Sequence, residues 1–294
     1  MKKSIDLNRL LHPRRIAPFL IHYAILLVIS GFFYGNACDK KFNLWYSDLL
    51  THETHERQQK PGRHDNRYVI VEVDDPSFNW LSQSYGSMRI SIAHLLTEIT
   101  KNNPQSVAVL FLFYGKGLPI ENIYLTSAVN TGLPIFFLAG LGKDNEYFTP
   151  LDAYSAPYPR FGFLNFVPDE DKTVRRVRIT APTKELGLQF DLSTQMATDF
   201  FPDSETIIRY DSINRKLDFT DKNNQKIHHS LFPDKDGCIP LQLIWGKNDI
   251  LSVSALDMIQ GKVSPSIFNG KVVILDGTAS VYQNKILTPI GINP

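Results

Sequence analysis

Tyr68–Val73 reads YVIVEV and Ser106–Phe113 reads SVAVLFLF. Both are short, nearly continuous apolar runs rich in β-branched residues, the signature of strands buried on both faces of a sheet. Between them, Ile92, Leu95, Leu96 and Ile99 fall on one side of a helix expected over Ile90–Thr100. Beyond the second run, Asn122–Thr131 predicts a short helix with Leu125, Ala128 and Val129 inward, and Leu133–Leu138 (LPIFFL) a third strand. This β-α-β-α-β order calls for right-handed crossovers and a largely parallel sheet. At the far end, Ser254 can cap a short helix carrying Leu256 and Ile259, Gly261 ends it, and Lys271–Leu275 (KVVIL) is a last buried strand. Apolar strands at both ends predict one sheet closed by its first and last segments.

The middle differs. Phe161–Phe166 and Val174–Ala181 read as two strands joined across the acidic turn Pro168-Asp169-Glu170-Asp171. A helix is expected next, with Leu188, Leu192, Met196 and Phe200 in register, and Ile207–Leu241 is turn-rich with weak strand signals. The predicted fold class is therefore α/β: a largely parallel central sheet flanked by helices with a β-rich insertion, preceded by one transmembrane helix.

That helix is the one strong compositional departure. Ile16–Cys38 carries no charge and, as a helix, would reach roughly 34 Å, enough for a hydrocarbon core of about 30 Å. Lys2, Lys3, Arg9, Arg14 and Arg15 precede it, whereas Lys40 and Lys41 are the nearby cations after it. The positive-inside bias puts the N-terminus in the cytoplasm and the rest outside. Gly35-Asn36-Ala37 offers a rival reading as a signal-peptidase site, but the apolar stretch exceeds the usual cleavable length, which favours an uncut anchor. The expected organisation is a cytoplasmic N-terminus (1–15), an anchor (16–38), a juxtamembrane connector (39–66) and an extracytoplasmic domain (67–294) in the inner membrane and periplasm.

With 31 basic and 30 acidic residues the net charge is +1, so there is no global field for nucleic acid. Cys38 and Cys238 are too few for a disulfide scaffold or a metal site; one bridge or two free thiols are both open. His52, His55 and His64 lack the zinc-protease spacing and read as a solvated linker.

Candidate chemistry gathers at strand ends. Asp74 and Asp75 follow the first strand, where paired acids can hold a divalent metal or, with Ser77, simply cap the following turn. Asp169 and Asp171, with Arg175 and Arg176, form either surface ion pairs or an anion site with bidentate arginines. Gly277-Thr278-Ala279-Ser280 could expose backbone amides to an anion, or be a tight turn. No nucleophile elbow, phosphate loop or catalytic Cys/His pair appears in the sequence, so no cofactor and no catalysis are expected.

Several segments, in order, resemble the extracytoplasmic sensor domain of the CHASE family, type two. YVIVEVDDPS (Tyr68–Ser77) resembles that family's strand ending in an Asp-x-x-Ser turn, and Arg89 its arginine before the first helix. FGFLNFVPDEDKTVRRVRI (Phe161–Ile179) is similar to its Gly-x-x-Asn-x-x-x-Asp-x-Asp-Gly-x-x-Arg-Arg pattern. The closing SVSALDMIQGKVSPSIFNGKVVILDGTAS…LTPIG resembles its ending. The family precedes adenylate cyclases, diguanylate cyclases and protein kinases in bacteria. The resemblance implies a ligand-sensing module, with Asp74, Asp75, Arg89, Asp169, Asp171, Arg175 and Arg176 as its ligand-binding candidates. Three departures stand out: Ser84–Met88 replaces a Trp-Pro-Trp-Pro run, Phe111 or its neighbour replaces an aspartate, and an aspartate near Tyr282–Asn284 is missing. The sequence stops at Pro294, short of the family's closing strand and output domain, which reads as a receptor fragment or a stand-alone descendant. Expected partners are the membrane through residues 16–38, a small ligand or an envelope protein, and a second copy of the chain. The alternative functions are an envelope docking protein and, last, a hydrolase with a metal among Asp74, Asp75, Asp169 and Asp171.

Overall fold

The computed structural model describes residues 65–113, 117–142, 144–149, 160–184, 186–198, 206–221, 227–241, 250–282, 286–288 and 291–293. The expected anchor, the connector up to residue 64 with its three histidines, Cys38 and Tyr114 lie outside them. Among the described residues no helix is long and apolar enough to cross a membrane.

The chain opens with β1 (Asp65–Val73), then α1 (Asp75–Tyr85) and α2 (Met88–Thr100). It continues through β2 (Ser106–Val109), α3 (Pro119–Val129), β3 (Ile135–Leu141), β4 (Tyr147–Phe148) and β5 (Arg160–Phe163). The first expected strand and α2 are present, whereas β2 ends at Val109, short of the expected Phe113, α3 starts three residues before the expected Asn122, and β3 starts two residues after the expected Leu133. Helix α1 stands where only a turn was expected. Asp74 caps it by accepting the Ser77 amide at 2.9 Å, Pro76 occupies its first turn, and Gly86 closes it in the left-handed conformation at φ 66°.

The insertion is richer in strands than its sequence suggested. It holds β6 (Asn165–Pro168), β7 (Val174–Arg178), β8 (Thr180–Thr183) and β9 (Gly187–Phe190). After α4 (Leu192–Ala197) come β10 (Thr206–Asp211), β11 (Lys216–Asp221), β12 (Ile227–Leu231) and β13 (Cys238–Pro240). The helix expected to include Leu188 instead starts at Leu192, because Gly187–Phe190 pairs as a hairpin with Thr180–Thr183. Asp191 then caps α4, accepting the Ser193 and Thr194 amides. β10–β12 form an antiparallel meander, and Leu217 and Phe219 pack with Ile179 into a second, smaller core.

The chain returns through β14 (Ile250–Ser254), α5 (Ala255–Ile259), a 3-10 turn at Pro265–Phe268 and β15 (Val272–Gly277), then a hairpin of β16 (Ile286–Thr288) and β17 (Gly291–Asn293). The central sheet runs β14-β1-β15-β2-β3, with β5 also on β3, and every pairing among these strands is parallel. The short β4 joins β3 antiparallel. The first and last apolar strands are thus neighbours, as expected, with β15 inserted between β1 and β2. One sheet face, carrying Val69, Val71, Val107, Val109, Val273 and Leu275, packs on α1, α2, α3 and α5. On the other face Ala108 and Phe136 are covered by Leu192 and Met196 of α4.

Candidate functional site

Inserting β15 between β1 and β2 brings the ends of β15, β2 and β3 to one edge, beside the N-termini of α2 and α3. A cleft of about 700 Å³ lies there, lined by Ser87 and Arg89 of α2, Leu110–Phe113 after β2, Glu121 of α3, Leu138 of β3, and Asp276, Gly277 and Tyr282 around the end of β15. The carboxyl edge is where open parallel sheets place their ligands, because side chains from separate strands converge there while the strand backbones stay paired.

Arg89 is held rather than waving in solvent. It is 7% exposed, its guanidinium carbon lies 5.1 Å above the Phe113 ring, and Gly117 leaves room for it. A Cβ at Gly117 would fall 2.8 Å from both Cδ and Nε of Arg89. Beside it, Glu121 works for two helices. One carboxylate oxygen accepts the Leu118 amide at 2.7 Å, satisfying the start of α3, and the other accepts the Ser87 hydroxyl at the start of α2. The Ser87 hydroxyl, the Leu118 amide and the nearby charge of Arg89 together hold the Glu121 carboxyl below its ordinary range.

Asp276 is of the opposite kind. Burial pushes its carboxyl up, and the charge of Glu72, its register partner on β1, pushes the same way. Its own neighbour Gly277 donates an amide at 2.8 Å, and among the described residues no cation touches it. Gly277 cannot carry a side chain in this setting, because a Cβ would lie 2.7 Å from Tyr282 and 3.1 Å from Phe111. Those two rings meet edge to face at 5.5 Å, and Phe78 packs on Tyr282 at the same distance. A carboxyl and an aromatic corner therefore line the same cleft.

Of the seven ligand-binding candidates, the cleft contains Arg89. Asp74 is the cap of α1. Asp75 accepts the amide and the hydroxyl of Ser280, both at 2.8 Å, and these bonds lower its carboxyl below the ordinary value. Thr278 and Ala279 both donate their amides to the Val73 carbonyl, so Gly277–Ser280 is a turn tied to β1, not an open anion nest. The other four candidates are grouped at the β6–β7 turn. Arg175, 8% exposed, holds Asp171 through two bonds of 2.9 and 2.8 Å and Asp169 at 3.1 Å. Arg176 bridges Asp169 at 3.0 Å and Asp234 at 3.3 Å, fastening the turn to the loop before β13. Lys172 occupies that turn at φ 65°, at the position of the glycine in the pattern this stretch resembles.

Glu121, Asp276 and Ser87 were not singled out from sequence. Their signals were weak: a carboxylate three residues after a helix start, an acid ending the last apolar strand, and a serine preceding a helix. Among the described residues no group of three or more His, Cys, Asp or Glu side chains is placed to hold a metal. Cys238 is buried and unbridged.

The profile of the CHASE2 domain matches residues 23–294, nearly the whole chain. The chain belongs to the CHASE2 domain family. CHASE2 is an extracytoplasmic sensor domain of bacterial signalling receptors. No curated protein and no solved structure matches the chain. Within this CHASE2 domain, Phe111 and Tyr282, which lie in two of the stretches that depart from the pattern, are rings that meet on the cleft wall.

Proposed function

We propose that this chain is a membrane-anchored extracytoplasmic sensory domain that binds a small solute in the cleft between β15, β2 and β3 and has no catalysis of its own. Residues 16–38 anchor it with the N-terminus in the cytoplasm and the main domain in the periplasm. The observation that carries the reading is the cleft itself: about 700 Å³ at the carboxyl edge of a parallel sheet, with Arg89, Glu121 and Asp276 converging on it. The family supports a signalling role. Ligand occupancy would be felt at α2 and at the end of β15, since both border the cleft.

The test is a thermal-shift screen of the full chain in detergent micelles against amino acids, sugars, small anions and small amines. A solute that binds the folded state raises the melting temperature by mass action, about 2.7 kcal/mol of stabilisation at a hundred times Kd. Leu112→Trp, which fills the cleft from a half-exposed position, should abolish that rise. A rise that survives Leu112→Trp would move the binding site elsewhere.

A docking reading draws on a different observation. Helix α3 buries Leu125, Ala128 and Val129, yet its opposite side leaves Ile120, Ile123 and Tyr124 more than half exposed, with Leu118 beside them. If a second copy of the chain covers this stripe, Ile123→Glu lowers the sedimenting mass while leaving the melting temperature unchanged. An unaltered mass sinks that reading.

A further inference from the structure

The charges in the cleft are not balanced evenly, and that imbalance selects a ligand class. The positive side is already answered from within. The start of α2 borders the cleft, where a helix N-terminus favours negative charge, and Arg89 adds a full positive charge. Glu121 faces both, bound to the Ser87 hydroxyl and close enough to Arg89 to feel its charge. An incoming anion would have to compete with a carboxylate that is preorganised there by the Leu118 amide.

The negative side has no such answer. Asp276 ends β15 with Glu72 beside it on β1, so the two nearest side-chain charges repel. Arg67, Lys101, Lys216 and Lys262 are committed to Asp65, Glu98, Asp218 and Asp257 elsewhere on the surface. The carboxyl is thus kept partly buried with a backbone amide as its donor and, among the described residues, no counter-charge. The Phe111–Tyr282 corner lines the same cleft, and aromatic faces attract cations through their quadrupole. A desolvated acid beside aromatic rings is a costly arrangement for a fold alone, and becomes favourable when a cation arrives.

We propose that the cleft takes a small organic cation, an alkylammonium ion, with Asp276 as its counter-charge and the Phe111 and Tyr282 rings as its apolar wall. Leu110, Leu112 and Leu138 complete the wall and suit a short alkyl chain on the amine. The proposal rests on the reading of the cleft as a solute site and names what that site recognises.

The experiment is calorimetric titration of the full chain in detergent micelles with four probes of similar size: butylammonium chloride, choline chloride, sodium butyrate and 1-butanol. Butylammonium or choline should bind, and butyrate and butanol should not. Asp276→Asn should weaken amine binding about tenfold to a hundredfold, the loss expected for a charge-assisted contact. Glu98→Gln, on the outer side of α2, should leave it unchanged. Amine binding that Asp276→Asn does not weaken overturns the proposal, as does binding of butyrate in place of the amines. If no amine binds while another solute does so in a manner abolished by Leu112→Trp, the amine assignment fails and the cleft reading stands. If Leu112→Trp affects no binding at all, both fall.

Discussion

Glu72 and Asp276 stand side by side at the ends of two adjacent parallel strands, two carboxyls in register with no base between them. The pair is a stability liability located at the cleft. Burial, then Glu72, raises the Asp276 carboxyl above its ordinary 3.8. A raised folded value means that the stabilising contribution is fully present below 3.8 and is lost as pH rises through the folded value.

Asp276→Asn should therefore stabilise the chain at neutral pH while weakening amine binding. The amide keeps the acceptor used by the Gly277 amide and removes the repulsion. We expect a melting temperature about 2–4 °C higher at pH 7, the shift that ~1 kcal/mol gives a domain of this size, and no difference near pH 3. Calorimetric scans of both proteins across pH would show it. A variant less stable than the wild type at pH 7 contradicts this account of the pair.

Lys172→Gly should also stabilise. Lys172 sits at φ 65°, where a Cβ crowds the following carbonyl and glycine does not. Glycine costs some entropy in the unfolded chain, so the net gain is about 0.5–1 kcal/mol. Urea unfolding midpoints measure it, and an unchanged or lower midpoint would rule it out.

The β6–β7 turn should be acid-sensitive. The Arg175 guanidinium, bonded to both oxygens, holds the Asp171 carboxyl down to about 2. A depressed folded value contributes stability above 3.8 that disappears as pH falls toward 2. Asp171 is half-exposed, so salt will screen much of the effect. Asp171→Asn should flatten the fall in melting temperature between pH 4 and 2, most visibly at low ionic strength. Arg175→Lys, which keeps the charge but loses the fork, should cost about 1–2 kcal/mol at pH 7.

Gly162→Ala should be the most damaging of these changes. A Cβ at Gly162 would lie 2.4 Å from Leu192 Cα and 2.5 Å from its amide nitrogen, both backbone atoms that cannot swing aside. β5 would be pushed from α4, loosening the Phe163–Asp191 bridge. We expect a loss of about 2–3 kcal/mol by denaturant titration.

What the sequence disclosed and what it hid follow a physical line. β1, β2, β3 and β15 were legible because a strand buried on both faces must be apolar throughout. Helix α1 was hidden behind Asp74-Asp75-Pro76-Ser77, which reads as a turn; the cap at Asp74, Pro76 in the first turn and Gly86 after the last were its true punctuation. Leu188, Leu192 and Met196 mimicked one helix because a hairpin strand running into a helix can share its four-residue spacing. β14 escaped as a short edge strand whose Leu251 is exposed. In the site, Arg89 was reached by resemblance. Asp276 was not, since only the insertion of β15 between β1 and β2 sets it beside Glu72 and the Phe111–Tyr282 corner.

That insertion also dictates an order of events. Both flanks of β1 are taken by β14 and β15, strands that the chain supplies only near its end. A growing or partly exported chain can pair β2 with β3, but it holds both edges of β1 and one edge of β2 bare until those strands arrive. The incorporation of β1 must therefore come last in the central sheet, a slow search across long loops. Until β15 slots in, the apolar edges of β1 and β2 are open to other chains, so the yield of folded protein will depend on how quickly the C-terminal strands emerge and on what shields β1 until they do.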